Sequence, residues 1–435
     1  MSDAAREGAS ADLPEAQRGG PPTGELTPSP TADVTATPPV VANAPAYDVE
    51  ALRRNEFLWA ARGDSIYLNN ASTGPLPSRT VAAVEAFTRT RAEPFRMTEA
   101  LQFGTLERSR ELCARLVGAE AREIALMVNT TYGINLAARA LPLKAGDVVL
   151  TFDREFPANV YPWMALDRAA GVELRLVPCR PDRTPDEDAL LAVLESDRRV
   201  RAVSVSWVSF ATGYRVDLER IGAACRERGV YFVVDAIQGV GAATLDVKRC
   251  HVDLLACGAQ KWLMSPWGAG FVYVRDELLE RLEPNAVGWM SVRGSDDFSR
   301  LVEYDFTYRD DARRFEVITL PFQEFAGLNA SLELLFELGP AAVESHVREL
   351  ASRIVLWAAA RDDVTLVTPA HPARRAGIVA VAPRDPAAAS ARLTAARVSH
   401  SLREGAIRLS PHCYNTAAEV DAALAALAGD AGAGA

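Results

Sequence analysis

Short apolar runs rich in valine, isoleucine and leucine alternate with amphipathic stretches of helical length between residues 114 and 274. Continuous apolar runs separated by helices are typical of a mostly parallel sheet that is buried on both faces. The pattern therefore predicts an α/β fold. The candidate strands are residues 123–128, 148–152, 173–177, 202–208, 230–234, 254–256 and 270–274, and the candidate helices include residues 133–140, 185–196 and 218–228.

The pattern changes after Arg275. A loop-like stretch rich in Asp, Arg and aromatic residues, 294–316, leads into a predicted helix at 324–338. Predicted helices at 341–361 and 417–428 bracket strand-like pieces at 364–367, 377–382 and 406–409, which indicates a second, smaller C-terminal α+β domain. The expected divisions are a disordered tail (1–46), a segment packing toward the small domain (47–75), a large cofactor-binding domain (76–290), a linker and small domain (291–427) and a disordered tail (428–435).

Charge and composition exclude several classes of partner. The net charge is −10 and no basic patch interleaved with aromatic residues occurs, so we expect no binding to nucleic acid or to an anionic membrane surface. The six cysteines form no CxxC pair and the five histidines show no metal-ligand spacing. That usage favours the reduced thiols of a cytoplasmic protein and no metal site. Residues 1–46 are poor in large apolar side chains and lack the apolar core of a secretory signal.

One of only three lysines lies in an apolar stretch. Lys261 is the only ionisable side chain of residues 254–274 apart from a cysteine and a tyrosine. Apolar surroundings lower the pKa of a lysine and free its amine to form a Schiff base with a carbonyl substrate or with pyridoxal 5′-phosphate (PLP). Two other interpretations are a membrane span, which the lysine, proline and glycines disfavour, and a loop lysine with its amine in water.

Polar residues follow two further predicted strands. Asp235 ends the strand at 230–234, where a carboxylate is costly without a partner such as the protonated ring nitrogen of PLP. Thr130 and Thr131 follow the strand at 123–128 and open a helical pattern, which suits a phosphate group. Helix capping alone would also explain these residues. Ligands of open α/β sheets bind beyond the carboxyl ends of the strands, so the three positions together favour a PLP site.

Several motifs, in their order and spacing, resemble the class V aminotransferase family of fold type I PLP enzymes. This family includes cysteine desulfurases, kynureninase and isopenicillin N epimerase-like proteins. The resemblance covers about residues 65–427 and implies a large domain with a mostly parallel seven-stranded sheet and a smaller C-terminal α+β domain. The matching stretches are YLNNASTGPLP, NTTYGINLAARAL, REFPANVYPW, FVVDAIQGVGA, GAQKWL, RRFEVITLPFQEFAGLNASLELL and IRLSPHCYNTAAEVDAAL.

The resemblance also implies a role for individual residues. Lys261 would bind PLP covalently and carry the proton at Cα, Asp235 would hold the ring nitrogen, and Gln238 the phenolic oxygen. Arg408 would grip the substrate carboxylate, a bidentate task suited to a guanidinium. The remaining implied positions are Thr130, Thr131 and Gln260 for phosphate, Thr319 lent to the phosphate of the partner subunit, Phe156 stacked on the ring, and Asn70 and Phe210 near the substrate.

Departures from the family pattern bear on the reaction. Cysteine desulfurases carry a persulfide-forming cysteine upstream of the carboxylate-binding arginine, whereas this chain has no cysteine between Cys257 and Cys413. They also place a histidine where this chain has Phe156. Both differences argue against sulfur transfer from cysteine. Ile318 replaces a glycine before the implied phosphate threonine, and a structural role is preferred for Cys413.

The sequence thus predicts a PLP-dependent enzyme that acts on an amino acid through an external aldimine and Cα deprotonation. Transamination ranks first by the breadth of the family. A C–S or other β-eliminating lyase and an amino-acid epimerase remain alternatives, and a sheet domain that binds a phosphorylated ligand is the non-enzyme alternative. We expect a cytoplasmic homodimer with shared active sites.

Overall fold

The computed structural model describes residues 47–284 and 286–429. The predicted tail 1–46 lies outside the described residues, as do residues 430–435 of the predicted tail 428–435. The last helix ends at Ala428.

The strands of the described residues are β1 (Ile66–Tyr67), β2 (Ile124–Met127), β3 (Val148–Phe152), β4 (Glu173–Val177), β5 (Val200–Ser206), β6 (Tyr231–Asp235), β7 (Leu254–Gly258), β8 (Gly270–Val274), β9 (Val364–Leu366), β10 (Val379–Pro383), β11 (Val398–Ser399), β12 (Ser401–Arg403) and β13 (Ala406–Leu409). The α-helices are α1 (Val49–Glu56), α2 (Leu58–Ala61), α3 (Ser78–Ala92), α4 (Glu99–Val117), α5 (Thr130–Ala140), α6 (Tyr161–Ala170), α7 (Glu187–Ser196), α8 (Leu218–Arg228), α9 (Asp276–Leu279), α10 (Phe322–Leu338), α11 (Pro340–Ala359), α12 (Pro386–Ala395) and α13 (Ala417–Ala428).

Seven strands form the large sheet in the order β2-β8-β7-β6-β5-β3-β4. Strands β3 to β7 pair in parallel, and β8 is antiparallel to both β2 and β7. The predicted mostly parallel seven-stranded sheet is therefore confirmed, and each predicted strand overlaps an observed one. Strand β5 ends at Ser206, two residues before the predicted end, because Val208 pairs with Arg215 outside the sheet.

Both faces of this sheet are buried. Successive residues of a strand point to opposite faces, and Val233 and Val234 of β6 accordingly belong to two different hydrophobic clusters. Each of the five residues of β7 and of β8 is buried. The near-continuous apolar runs that predicted the sheet reflect this double coverage.

The C-terminal region carries an antiparallel sheet of four strands in the order β12-β13-β10-β9. Its apolar face packs with α11, α12 and α13 in a separate hydrophobic cluster that includes Ile407 and Leu409. Helices α11, α12 and α13 follow or flank these strands, which is the arrangement of an α+β unit. The exact domain limits at 75–76, 290–291 and 427–428 stay predictions.

The first described segment reaches the C-terminal region. Strand β1 pairs in parallel with β11, with Ile66 opposite Val398. From α1, Arg53 donates to the carboxylate of Glu419 at 2.8 Å and to the carbonyl of Tyr414 at 3.1 Å. The segment then crosses to the carboxyl ends of the large sheet. The hydrophobic pattern does not predict α3, and only two residues of that helix are buried, so its apolar stripe is weak.

Candidate active site

Lys261 follows β7 and lies at the carboxyl end of the large sheet. Burial lowers the pKa of its amine to about 8, an effect opposed by the negative charge of Asp235 and reinforced by the positive charge of Arg408. The Nζ atom lies 5.7 Å from the centre of the Phe156 ring. The neutral, nucleophilic form that Schiff base formation requires is therefore more populated near neutral pH than in an ordinary lysine.

Asp235 is the last residue of β6 and is only 3% exposed. Its Oδ1 accepts a hydrogen bond from the backbone N–H of Ile237 at 3.0 Å. Within the described part of the chain, Oδ2 has no donor. Burial raises the pKa of Asp235 to about 6, while the Ile237 N–H and Lys261 act in the opposite direction. A cationic ring nitrogen at Oδ2 would compensate the burial of this carboxylate.

The side chain of Gln238 is engaged at both ends. Its Oε1 accepts from the indole Nε1 of Trp262 at 3.0 Å, and its Nε2 donates to the carbonyl of Ala71 at 3.0 Å. The amide therefore has a fixed orientation, and one N–H of Nε2 remains for another acceptor. The role of Gln238 toward a phenolic oxygen stays a prediction.

Three residues implied for phosphate binding lie close to one another. Thr130 is the first residue of α5, and its Oγ1 accepts from the N–H of Gly258 at 2.8 Å, which leaves its own hydroxyl proton for a further acceptor. A Cβ added at Gly258 would lie 2.6 Å from Oε1 of Gln260 and 3.2 Å from Oγ1 of Thr130. Thr131 is the next residue of α5 and is exposed. The start of a helix with hydroxyl and amide donors suits a phosphate group.

Arg408 and two phenylalanines form the opposite side of the site. The Arg408 guanidinium is buried and donates to the carbonyl of Phe210 at 2.7 Å and to Oγ of Ser72 at 2.8 Å. Burial, together with the charge of Arg403, lowers its pKa to about 10. The Phe156 and Phe210 rings meet edge to face with centres 5.3 Å apart. The structure thus brings together Lys261, Phe156, Phe210 and Arg408.

Asn70 lies inside the fold beside this group. It is fully buried, and its Nδ2 donates to the carbonyl of Ser410 at 3.1 Å and to the hydroxyl of Tyr414 at 2.9 Å. The preceding residue, Asn69, joins the Arg408 side: its Oδ1 accepts from Ser72 at 2.9 Å. Asn70 begins the turn that follows Asn69, and the two asparagine side chains have different partners.

Thr319 is not brought to this group within the described chain. It lines a surface groove together with Phe87, Gln102 and Phe322. Its implied role at a partner subunit's phosphate stays a prediction.

Three contributors to the site were missed from the sequence. Ser72 positions Arg408, as described above. Gly74 donates its N–H to the carbonyl of Gln260 at 2.9 Å, and a Cβ at Gly74 would lie 2.0 Å from the carbonyl oxygen of Lys261. Glu155 accepts hydrogen bonds from the backbone N–H of Ser206 at 2.7 Å and from its hydroxyl. Ser72 and Gly74 lie in the motif YLNNASTGPLP and Glu155 lies in REFPANVYPW. The motifs therefore mark these residues as part of the family pattern, but they do not show which residues each one contacts.

The donor set fits PLP. The buried carboxylate, with one oxygen lacking a donor, suits the pyridine nitrogen, and the helix start with two threonines suits the phosphate. The half-exposed aromatic ring suits the ring face, and the lysine with a lowered pKa suits the aldehyde. Among residues 47–284 and 286–429, no cluster of His, Cys, Asp or Glu side chains is arranged to hold a metal ion. No helix in the same residues combines the length and the apolar character needed to cross a bilayer.

Comparisons with known proteins show the family of the chain. The family model for class V aminotransferases matches residues 66–423. The chain is 31% identical over 380 residues to isopenicillin N epimerase of Streptomyces clavuligerus, an alignment covering 84% of this chain and 95% of the relative. It is 31% identical over 297 residues to a probable cysteine desulfurase of Pyrococcus abyssi, covering 66% and 71%.

Solved structures share the fold. The cysteine desulfurase of Thermococcus onnurineus superposes with a TM-score of 0.75 at 24% identity, covering 86% of this chain and 96% of that one. The cystine C–S lyase C-DES, in complex with cysteine persulfide, gives a TM-score of 0.76 at 24% identity, covering 85% and 99%. Fold and site define a PLP-dependent enzyme. The chain belongs to the class V aminotransferase family.

Proposed function

We propose that the protein is an aminotransferase whose amino-acid substrate is held through its carboxylate by Arg408. PLP, when bound, supplies the aldehyde for amine attachment and an electron sink for the charge left at Cα. Lys261 provides the base, because its pKa of about 8 leaves the amine available to accept a proton near neutral pH. Asp235 would stabilise positive charge at the ring nitrogen, and Arg408 would bind the substrate carboxylate and so orient the substrate beside Lys261.

The observation that carries this proposal is the chemistry around the lysine. The aromatic side chains on this side are Phe156, beside Lys261, and Phe210, packed against Phe156, and neither can exchange a proton. Transamination needs one proton moved between two carbon atoms on the same face, which a single amine can perform. Elimination of a β-substituent benefits from a second acid at the leaving group, a role that a phenylalanine cannot fill.

The two cysteines on either side of Lys261 and Arg408 in the sequence, Cys257 and Cys413, favour the same choice over sulfur transfer. Cys413 is fully buried, its Sγ lies 3.9 Å from Sδ of Met264, and burial raises the pKa of its thiol. Burial likewise raises the pKa of Cys257. A sulfur acceptor must be an exposed thiolate, so neither cysteine is suited to take sulfur from a substrate.

Epimerisation is the second candidate. Its support is the relative from Streptomyces clavuligerus named isopenicillin N epimerase, which this chain matches over 95% of that protein's length. Epimerisation returns the proton to Cα from the other face, so it would need a proton donor on the side opposite Lys261.

A product assay separates these reactions. The purified protein is incubated with PLP, each of a panel of L-amino acids and a keto-acid acceptor, and the mixture is assayed for new keto acid, for pyruvate with ammonia or sulfide, and for the D-enantiomer. We expect keto acid that appears only when an acceptor is present. Racemisation without keto acid, or pyruvate formed without an acceptor, would reject transamination.

We also propose a cytoplasmic homodimer with shared active sites. Apolar side chains that are exposed in the single chain, Trp289, Val302, Tyr304 and Phe306, lie on the stretch before Thr319, and exposed apolar surface of this kind marks interfaces. The cysteines of the chain are free, as expected in a reducing compartment.

Sedimentation equilibrium should give twice the chain mass, and Tyr304→Asp with Phe306→Asp should shift the measured mass toward that of the monomer. A monomeric mass for the unaltered protein would refute the dimer.

A further inference from the structure

The hairpin that carries Arg408 carries a second arginine on the same face. In the pairing of β12 with β13, Ser401 lies opposite Arg408 and Arg403 lies opposite Ala406. Side chains of paired residues share one face of a sheet, and so do residues two apart in a strand. Arg403 and Arg408 are therefore diagonal neighbours, with Cβ atoms about 7–8 Å apart.

The guanidinium groups of the two arginines differ in their hydrogen-bond partners. Arg408 is anchored by Phe210 and Ser72, as described for the site. Within the described part of the chain, the side chain of Arg403 makes one hydrogen bond, to the carbonyl of Leu402 at 3.3 Å, and no ion pair. Its guanidinium is thus exposed and available to an anion.

The nearest acidic residue in sequence is already engaged elsewhere. Glu404 accepts from Arg154 at 2.8 Å and lies 3.8 Å from Arg183. Arg154 and Arg183 line a small cavity together with Glu155 and Phe210, so both arginines also lie at the rim of the site. Three arginines meet two carboxyl groups here, Glu404 and Glu155, and that of Glu155 is engaged by Ser206. The rim therefore keeps an excess of positive charge, which attracts an anionic ligand.

The charge of Arg403 reaches the reacting groups. It contributes to the lowered pKa of both Lys261 and Arg408. Between Arg403 and Arg408 the hairpin presents only the short side chains of Ser401 and Ala406, which leaves room for a ligand between the two guanidinium groups. Two like charges on one face with no carboxylate between them are unfavourable until an anion bridges them.

We propose that Arg403 is a specificity-determining residue that binds the distal carboxylate of a dicarboxylic amino acid, while Arg408 binds the α-carboxylate. The inference rests on the proposed function, since it assumes that the substrate carboxylate lies at Arg408. The edges of Phe156 and Phe210 would contact the methylene groups between the two carboxylates. Guanidinium groups suit this task because they bind carboxylates through paired N–H donors.

Binding of straight-chain dicarboxylates to the PLP-loaded protein tests this inference. Calorimetric titrations with malonate through pimelate are compared with monocarboxylates of the same chain length. We expect at least one dicarboxylate to bind about tenfold to a hundredfold more tightly than its monocarboxylate partner, the range for one hydrogen-bonded charge. In Arg403→Gln this ratio should fall to near one, and Arg403→Lys, which keeps the charge, should recover part of it.

Two further variants make the result specific. Arg139→Gln removes the same charge from the exposed far end of α5, roughly 14 Å from its first residue, and should keep the wild-type ratio. Arg408→Gln should weaken mono- and dicarboxylates alike. A ratio near one in the unaltered protein, or a ratio that persists in Arg403→Gln, would overturn the inference while leaving keto-acid formation untouched. Failure of the proposed function would be seen separately, as no keto acid from any amino acid.

Discussion

The amine of Lys261 lies 5.7 Å from the centre of the Phe156 ring, and the Phe156 ring in turn contacts Phe210 edge to face. Two aromatic rings, which cannot titrate, therefore occupy the side of the site that faces the lysine. Under the proposed function, this relationship favours reactions in which Lys261 alone moves the proton at Cα, because neither phenylalanine ring can exchange a proton.

Lys261→Ala should abolish covalent attachment of PLP. The reason is that Lys144 and Lys248, the only other lysines, are exposed residues elsewhere on the chain. We expect loss of the long-wavelength absorbance of the purified protein and loss of PLP fixed by borohydride, read by mass spectrometry of the peptide. Lys144→Ala is the matched control and should keep both signals. A yellow Lys261→Ala protein would reject the assignment.

The lowered pKa of Lys261 predicts its reactivity as a function of pH. An ordinary lysine has a pKa of about 10.4, whereas burial brings that of Lys261 to about 8. Trace labelling of the cofactor-free protein with an amine-selective reagent should therefore rise through a midpoint near pH 8. In Asp235→Asn the midpoint should move lower, since the carboxylate that favours the ammonium form is gone. A midpoint near that of free Nα-acetyllysine would contradict the burial argument.

Glu155→Gln should change the pH dependence of stability. Burial raises the pKa of Glu155 to about 7 from an ordinary 4.5, with Ser206 opposing the shift and Asp235 adding to it. A raised folded-state pKa means that stability is fully present below about pH 4.5 and is lost as the pH rises through 7. Glutamine is neutral throughout, so the free energy of unfolding of the variant relative to wild type should increase by up to about 3 kcal/mol between pH 5 and pH 8.

Urea denaturation at several pH values provides the measurement for Glu155. Glu85→Gln is a suitable control, because Glu85 is an exposed residue that pairs with Arg89 on α3. Such pairs contribute little, and this variant should follow the wild-type pH profile. Parallel profiles for Glu155→Gln and wild type would show that Glu155 is not held protonated in the folded protein.

The apolar runs predicted the large sheet because its central strands, such as β7 and β8, are buried along their whole length, and a continuous apolar run is the sequence signature of such a strand. The same signal was weak for α3, which buries only Thr80 and Phe87. Within the site, residues at strand ends such as Asp235 could be found by their position. The orientation of Asn69 rather than Asn70 toward Ser72 could not, because it depends on how the early segment meets β13 far along the chain.

The contact between Gly74 and Lys261 could not be predicted from the sequence for the same reason, since 187 positions separate the two residues. A Cβ at Gly74 would lie 2.0 Å from the carbonyl oxygen of Lys261 and 3.2 Å from Cα of Met264, both backbone atoms of the loop that carries the lysine. Gly74→Ala should therefore force the two segments apart, lower the free energy of unfolding by about 1–3 kcal/mol as overpacking does, and weaken PLP binding, measured by thermal unfolding and by titration of the long-wavelength band.

Gly104→Ala is the control for that clash. Gly104 lies within α4, and a Cβ there would have nothing within 4 Å. Alanine in a helix interior is favoured over glycine by roughly 0.5–1 kcal/mol, so this variant should melt at the same temperature as wild type or higher and bind PLP equally well. If Gly74→Ala behaved like Gly104→Ala in both measurements, the early segment would not be packed against the loop that carries Lys261. The contact between Ser72 and Arg408, which depends on the position of that segment, would then be refuted as well.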